Sequence, residues 1–174
     1  MMQHRKLGNK VTPLSRDKIR SQANRLRQLL GIAKPEVDVC RLLDIFMEYE
    51  IASYEVVEDY ELGEEEAVTY PDEGRIVIKQ SIYDGAAAGD GHCRFTIAHE
   101  FGHLFLHKNQ IHHSFARNRQ EHKVFEDSEW QADEFASAFL IDETLINAND
   151  DIQSVAEKFG VSRTAAGMKL KKIR

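Results

Sequence analysis

His99, Glu100 and His103 stand in the run "FTIAHEFGHLFLH" (95–107), with a third histidine, His107, four residues further on. On an α-helix, residues four apart lie about 6 Å apart along the axis and about 40° around it, so the two imidazoles of His99 and His103 can reach a single ion. Glu100 is one step round from His99, beside that ion, where a carboxylate can take a proton from a metal-activated water. This is the H-E-x-x-H arrangement. With 8 His and 17 Glu in 174 residues, chance alone produces about 0.04 such matches, so the surroundings have to carry the assignment. Thr96, His99, Glu100, His103 and His107 share one helical stripe, while Phe95, Ala98, Phe101, Leu104, Phe105 and Leu106 fill most of the remainder. Burying two histidines and a glutamate without partners costs several kcal/mol, a cost that a bound metal removes. The competing reading is a set of core histidines, each satisfied by a single hydrogen bond.

Catalytic zinc takes three protein ligands and a water. His107 is about 12 Å along the axis from His99, too far to share an ion at about 2.1 Å. It reads instead as a helix-end residue whose protonated ring meets the negative pole of the helix dipole. The longer motif that adds a glycine and a third histidine fails as well, because Leu106 and Asn109 occupy those positions. The better third ligand is Glu129 in "EWQAD" (129–133). Asp133, one turn on, is then placed to accept a hydrogen bond from the outer nitrogen of a zinc histidine, His99 foremost. Glu126, Asp127 and Glu134 are the reserves, and Glu134, about 140° round from Glu129, is the weakest. An acidic solvent face on an amphipathic helix is the alternative for Glu129 and Asp133. An oxyanion donor besides the metal is expected; His112, His113, Tyr70 and Tyr83 are candidates among which the sequence does not choose.

The elements that must position these side chains are legible in outline. Residues 15–30 have helical spacing of Ile19, Ala23, Leu26, Leu29 and Leu30, with Ser15 as N-cap and Gly31 as stop. Pro35 opens a second helix, to residue 50, with Val39, Leu42, Leu43 and Phe46 inward. Residues 51–62 alternate as a strand, and 66–80 read as two strands about a "PDEG" turn. A small antiparallel sheet of about three strands follows, and its stretch 75–79 (RIVIK) is a candidate edge for an extended substrate. "YDGAAAGDGH" (83–92) is breaker-rich and reads as a loop, with Asp90 capping the histidine helix. Residues 109–122 lack a period and read as a loop, 126–141 as a helix with Trp130, Phe135, Ala138, Phe139 and Ile141 on its apolar face. A last helical pair lies in 150–173, where Gly160 and Ser162 give a helix-turn-helix cadence. Helices, then strands, then helices argue for α+β. The expected organisation is a basic flexible tail (1–14), a main domain (15–149) and a helical pair packed on it (150–174).

Composition bounds the setting. Hydrophobic residues make up 42% and charged residues 30%, and no run approaches the roughly 18–20 apolar residues of a membrane span. The first twenty residues are basic but lack the apolar segment of a secretion signal. Cys40 and Cys93 are the only cysteines, which excludes a disulfide framework and a C-x-x-C knuckle and points to a reducing cytoplasm. The net charge of −6 is uneven: both ends are basic, and seven acids fall within 55–66, a run expected to be solvated.

"RFTIAHEFGHLFLH" (94–107) followed by "EWQADEFASAFL" (129–140) resembles the ImmA/IrrE family of zinc-dependent metallopeptidases, with "GRIVIK" as the strand before the helix. The similarity covers about residues 15–173. It implies a zincin-like α+β fold, zinc on His99, His103 and Glu129 (manganese as a substitute in vitro), and Glu100 as general base. It further implies a bacterial regulatory peptidase, often of a mobile element, that cuts a helix-turn-helix transcriptional repressor and so relieves repression. One departure is "FLID" (139–142), where the family helix often closes "L-L-M-P". Two other functions compete: a DNA-binding regulator with a structural zinc, drawing on the basic terminal helix, and a toxin-like member of a two-gene cassette. Direct DNA contact is the minor reading for the terminal pair, packing the major one.

Overall fold

Helix α1 (Arg16–Leu29) starts where Ser15 accepts a hydrogen bond from the Lys18 amide, and the chain turns away at Gly31, which takes φ of 64°. A computed structural model describes residues 7–110 and 122–174 of the chain. Helix α2 (Val39–Glu48) is capped by Asp38, later than the proline start expected at residue 35. Strands β1 (Ser53–Val57), β2 (Ala67–Tyr70) and β3 (Arg75–Lys79) make one sheet, with a short 3-10 turn (Asp59–Leu62) after β1. Then follow α3 (Gln80–Ala87), α4 (Gly91–Leu106), α5 (Ser128–Leu140), α6 (Ile152–Phe159) and α7 (Arg163–Ile173). The α+β class holds.

The sheet departs from expectation in its pairing. Its order is β1-β3-β2, with β2 antiparallel to β3 but β1 parallel to it, so the sheet is mixed and not wholly antiparallel. The cause is topological: the chain leaves β1, passes to the far side, and the β2–β3 hairpin returns with β3 between the other two. Ile76, Val77 and Ile78 are accordingly all buried, as a central strand requires. RIVIK is therefore paired on both sides and offers no open edge. Among the described residues β2 pairs with β3 alone, and β2 is the edge that borders α4.

Two further local expectations change. The stretch 83–92 is not all loop, because α3 runs through Ala87 with Ile82 and Ala86 buried. Gly85 is there for proximity, since a Cβ on it would lie 2.5 Å from the Cys93 sulfur. Alanine-rich sequence favours a helix when its face is buried, and here the packing decides. At the end of α1, Leu29 is 73% exposed while Arg27 points inward at 3%. The Arg27 guanidinium is satisfied by the Phe139 and Lys34 carbonyls, and Leu26 and Leu30 supply the apolar contact.

The core joins Ile19 and Ala23 of α1, Leu43 and Phe46 of α2, Ile76 and Ile78 of β3, and Ile97 and Phe101 of α4 to Phe135 and Phe139 of α5. Phe46, Phe101 and Phe139 meet edge to face. Residues 8–14, expected to belong to a flexible tail, instead form a strap across the start of α5. The Gly8 and Asn9 amides donate to Asp127 and Ser128 side chains, Val11 donates to the Glu126 carbonyl, and Val11 is buried. The terminal pair packs on the rest: Gly160 takes φ of 62° between α6 and α7, and its carbonyl accepts from buried Arg94 of α4. Among the described residues no helix is long and apolar enough to cross a membrane.

Candidate metal centre

Helices α4 and α5 cross at Gly102. A Cβ there would come within 2.8 Å of the Ala132 Cα and 3.0 Å of its carbonyl oxygen, so the glycine lets two backbones touch. On α4, His103 follows that glycine at once and His99 lies about one turn before it, and on α5, whose first turn Asp127 caps through the Trp130 amide, is Glu129. The three side chains converge. The His99 Nε2 lies 3.1 Å from one Glu129 carboxylate oxygen, the His103 Nε2 lies 3.2 Å from the other, and the two Nε2 atoms are 3.0 Å apart. Among the described residues this is the one group of three or more His, Cys, Asp or Glu side chains with ligand atoms gathered closely enough for a metal ion.

A metal fits the donor set. Tetrahedral zinc with nitrogen ligands at about 2.0–2.1 Å holds them about 3.3 Å apart, and the observed 3.0–3.2 Å separations need to open by only a few tenths. The electrostatics ask for a cation at the same point. Burial works against a charged His99 ring, but hydrogen bonds to Asp133 and then Glu129, with the Glu100 charge, more than offset it and raise its pKa to about 10. Burial likewise opposes Glu129 ionisation, yet the His103 and His99 rings hold its carboxyl far below the usual range.

The surrounding residues orient these three. Asp133 accepts from the His99 Nδ1 at 2.7 Å, the contact expected from the sequence. Glu100 is 5% exposed, and the Thr69 hydroxyl on β2 donates to its Oε2 at 2.6 Å. Thr69 was not foreseen, since nothing in a short strand tells which threonine will face a glutamate on another element. Nearby, Glu66 accepts from His92 and Thr96 on α4. An open groove of about 1080 Å³ is lined by Glu100, His99, His103 and Glu129 beside Val68 and Thr69 of the edge strand.

Other candidates fall elsewhere. Asp127 is fully buried as the α5 cap, Glu126 accepts from the Lys123 amide, and Glu134 is paired with Arg16 and Lys172, so none of the reserves enters the centre. Tyr70 lies under the Arg75 guanidinium and Tyr83 stacks on Tyr54; neither lines the groove. His112 and His113 lie outside the described residues. His107 does end α4, but its ring is 6% exposed, and burial followed by the neighbouring His103 lowers its pKa to about 4. It is therefore a neutral buried ring, where the sequence suggested a protonated cap, because the chain packs α5 over that end.

Two imidazoles from a H-E-x-x-H helix, a carboxylate from the next helix and a glutamate poised alongside define a centre of the metallopeptidase type. Residues 53–171 match the Peptidase M78 family, described as the IrrE N-terminal-like domain, and the chain belongs to that family. The resemblance carried by 94–107 and 129–140 is thereby borne out, and a peptidase implies a protein substrate. No curated protein matches the chain.

Proposed function

We propose that the protein is a zinc-dependent endopeptidase acting in the cytoplasm on a helix-turn-helix transcriptional repressor. The observation that carries the peptidase reading is the convergence of His99, His103 and Glu129 with Glu100 held beside them. His99, His103 and Glu129 would hold the ion and Asp133 would orient His99. Zinc, when bound, would supply a Lewis acid and acidify a water toward a pKa of about 7. Glu100 would take a proton from the attacking water on its carboxylate and hand it to the leaving amine. Thr69 keeps that carboxylate aimed, and the margin of β2 that meets no other strand among the described residues receives the substrate backbone as an added strand. The repressor as target rests on the ImmA/IrrE resemblance.

Residues 15–149 act as the catalytic unit, with 150–174 packed against it. A DNA-reading role for α7 is disfavoured by where its charge goes. Lys169 pairs with Glu143 and Lys172 with Glu134, so two of its cations are spent on the protein's own surface. The test incubates the purified protein, with zinc or manganese, with a helix-turn-helix repressor from any neighbouring gene and reads fragments by mass. Glu100→Gln is expected to bind zinc and to lose cleavage. A Glu100→Gln protein that cuts as fast as wild type removes Glu100 from its role.

A further inference from the structure

A histidine binds a metal through Nε2 only when that nitrogen carries no proton, and the partner of Nδ1 decides whether it does. For His99 the partner is the acceptor Asp133. For His103 the partner is another ring, the His107 Nδ1 at 2.9 Å, and one hydrogen lies between the two nitrogens. That contact alone leaves its direction open.

Gln131 supplies the direction. Its amide nitrogen donates to the Thr12 carbonyl at 2.9 Å and to the Phe125 carbonyl at 2.8 Å, two partners that an amide oxygen could not satisfy. Its Oε1 is thereby turned to the His107 Nε2, 3.0 Å away. A carbonyl oxygen only accepts, so the His107 Nε2 carries the hydrogen. The His107 ring is buried, where a charge is costly, so its Nδ1 is bare and accepts from the His103 Nδ1–H. With its Nδ1 hydrogen committed to His107, the His103 ring turns Nε2 toward the His99 Nε2 and Glu129, where a bound ion takes the place of any hydrogen Nε2 shares with the carboxylate.

We propose that Gln131 and His107 are positioning residues that hold His103 in the tautomer able to bind the metal, with the strap carbonyl of Thr12 fixing the Gln131 amide. The inference rests on the metal-centre reading above. It also places Thr12, which precedes the family match at 53–171, in the wiring of the centre.

The test uses long-range proton–nitrogen correlation spectra of the histidine rings in ¹⁵N-labelled full-length protein, metal-free and zinc-loaded. The expected pattern is an Nε2–H ring for His107 in both states and, in the zinc-loaded protein, a His103 ring with its hydrogen on Nδ1 and the metal on Nε2. An Nδ1–H or doubly protonated His107 at neutral pH overturns the proposal. Gln131→Leu and His107→Leu are expected to weaken zinc binding about 10–100-fold, with His107→Gln, which keeps an acceptor, recovering part of the loss. If His107→Leu binds zinc as tightly as wild type, the relay has no role. A wild-type protein that binds no divalent ion sinks the metallopeptidase reading instead, while the metal-free spectra still decide the hydrogen positions.

Discussion

Gly102→Ala tests the helix crossing on which the centre depends. The new methyl would meet the Ala132 Cα at 2.8 Å, and ordinary van der Waals contact begins near 3.4 Å, so α5 must retreat by about 0.6 Å. The obstruction is backbone, so no side-chain rotation relieves it. Metal sites tolerate ligand displacements of about 0.2 Å, and Glu129 moves with α5 while His99 and His103 stay on α4. Overpacking costs about 1–3 kcal/mol, offset by a gain of up to about 1 kcal/mol for alanine over glycine in a helix. The net loss of fold stability is about 0–3 kcal/mol, whereas zinc affinity is expected to fall more than tenfold, over about 1.4 kcal/mol. A competition titration against a chromophoric chelator, with thermal melts run with and without zinc, separates the two effects. Gly167→Ala in α7 is the control, because its nearest neighbour is the Ile152 Cδ1 at 3.5 Å, and it should leave zinc binding untouched. A Gly102→Ala protein that melts and binds zinc like wild type would refute the claim that this glycine sets the reach of Glu129.

Three more outcomes are expected. Thr69→Val removes a hydrogen bond to a carboxylate worth about 1.5–3 kcal/mol, so kcat should drop about 10–100-fold with zinc affinity unchanged; equal losses in both would show that Thr69 serves the metal and not the base. In the metal-free protein His99 holds its proton more tightly than the unfolded chain does, with a pKa of about 10 against an ordinary 6.5. That stabilisation is complete below pH 6.5 and lost as pH rises toward 10, so the melting temperature of metal-free protein should decline over this range, and a flat profile would contradict it. Lys169→Ala breaks a pair whose lysine side chain is 7% exposed and should cost about 1–2 kcal/mol in chemical denaturation, whereas exposed Lys171→Ala should stay within about 0.5 kcal/mol.

How far the centre could be read from sequence follows from the range of the interactions. His99, Glu100 and His103 are fixed by helical geometry within five residues, so their spacing suffices. Glu129 and Asp133 lie on a second helix, and they were found because one turn of separation suits a ligand and its hydrogen-bond partner. Thr69 and Gln131 were missed because their meaning comes chiefly from Glu100, His107 and Thr12, each supplied by another part of the chain. The parallel pairing of β1 with β3 was hidden for the same reason: alternation marks a strand but carries no sign of its neighbour's direction. At 83–92 the glycines were read as breakers, whereas Gly85 answers to the Cys93 side chain, which local composition cannot reveal.

The margin of β2 that meets no other strand among the described residues has a further consequence for the molecule's behaviour at high concentration. Backbone groups able to receive a foreign strand can equally receive a second copy, the first step of edge-to-edge association. The chain guards this margin with brevity and charge: the strand is four residues long, three consecutive glutamates (64–66) precede it, and Pro71, which has no amide hydrogen to donate, follows at once. Neutralising those glutamates should therefore cost solubility before it costs fold.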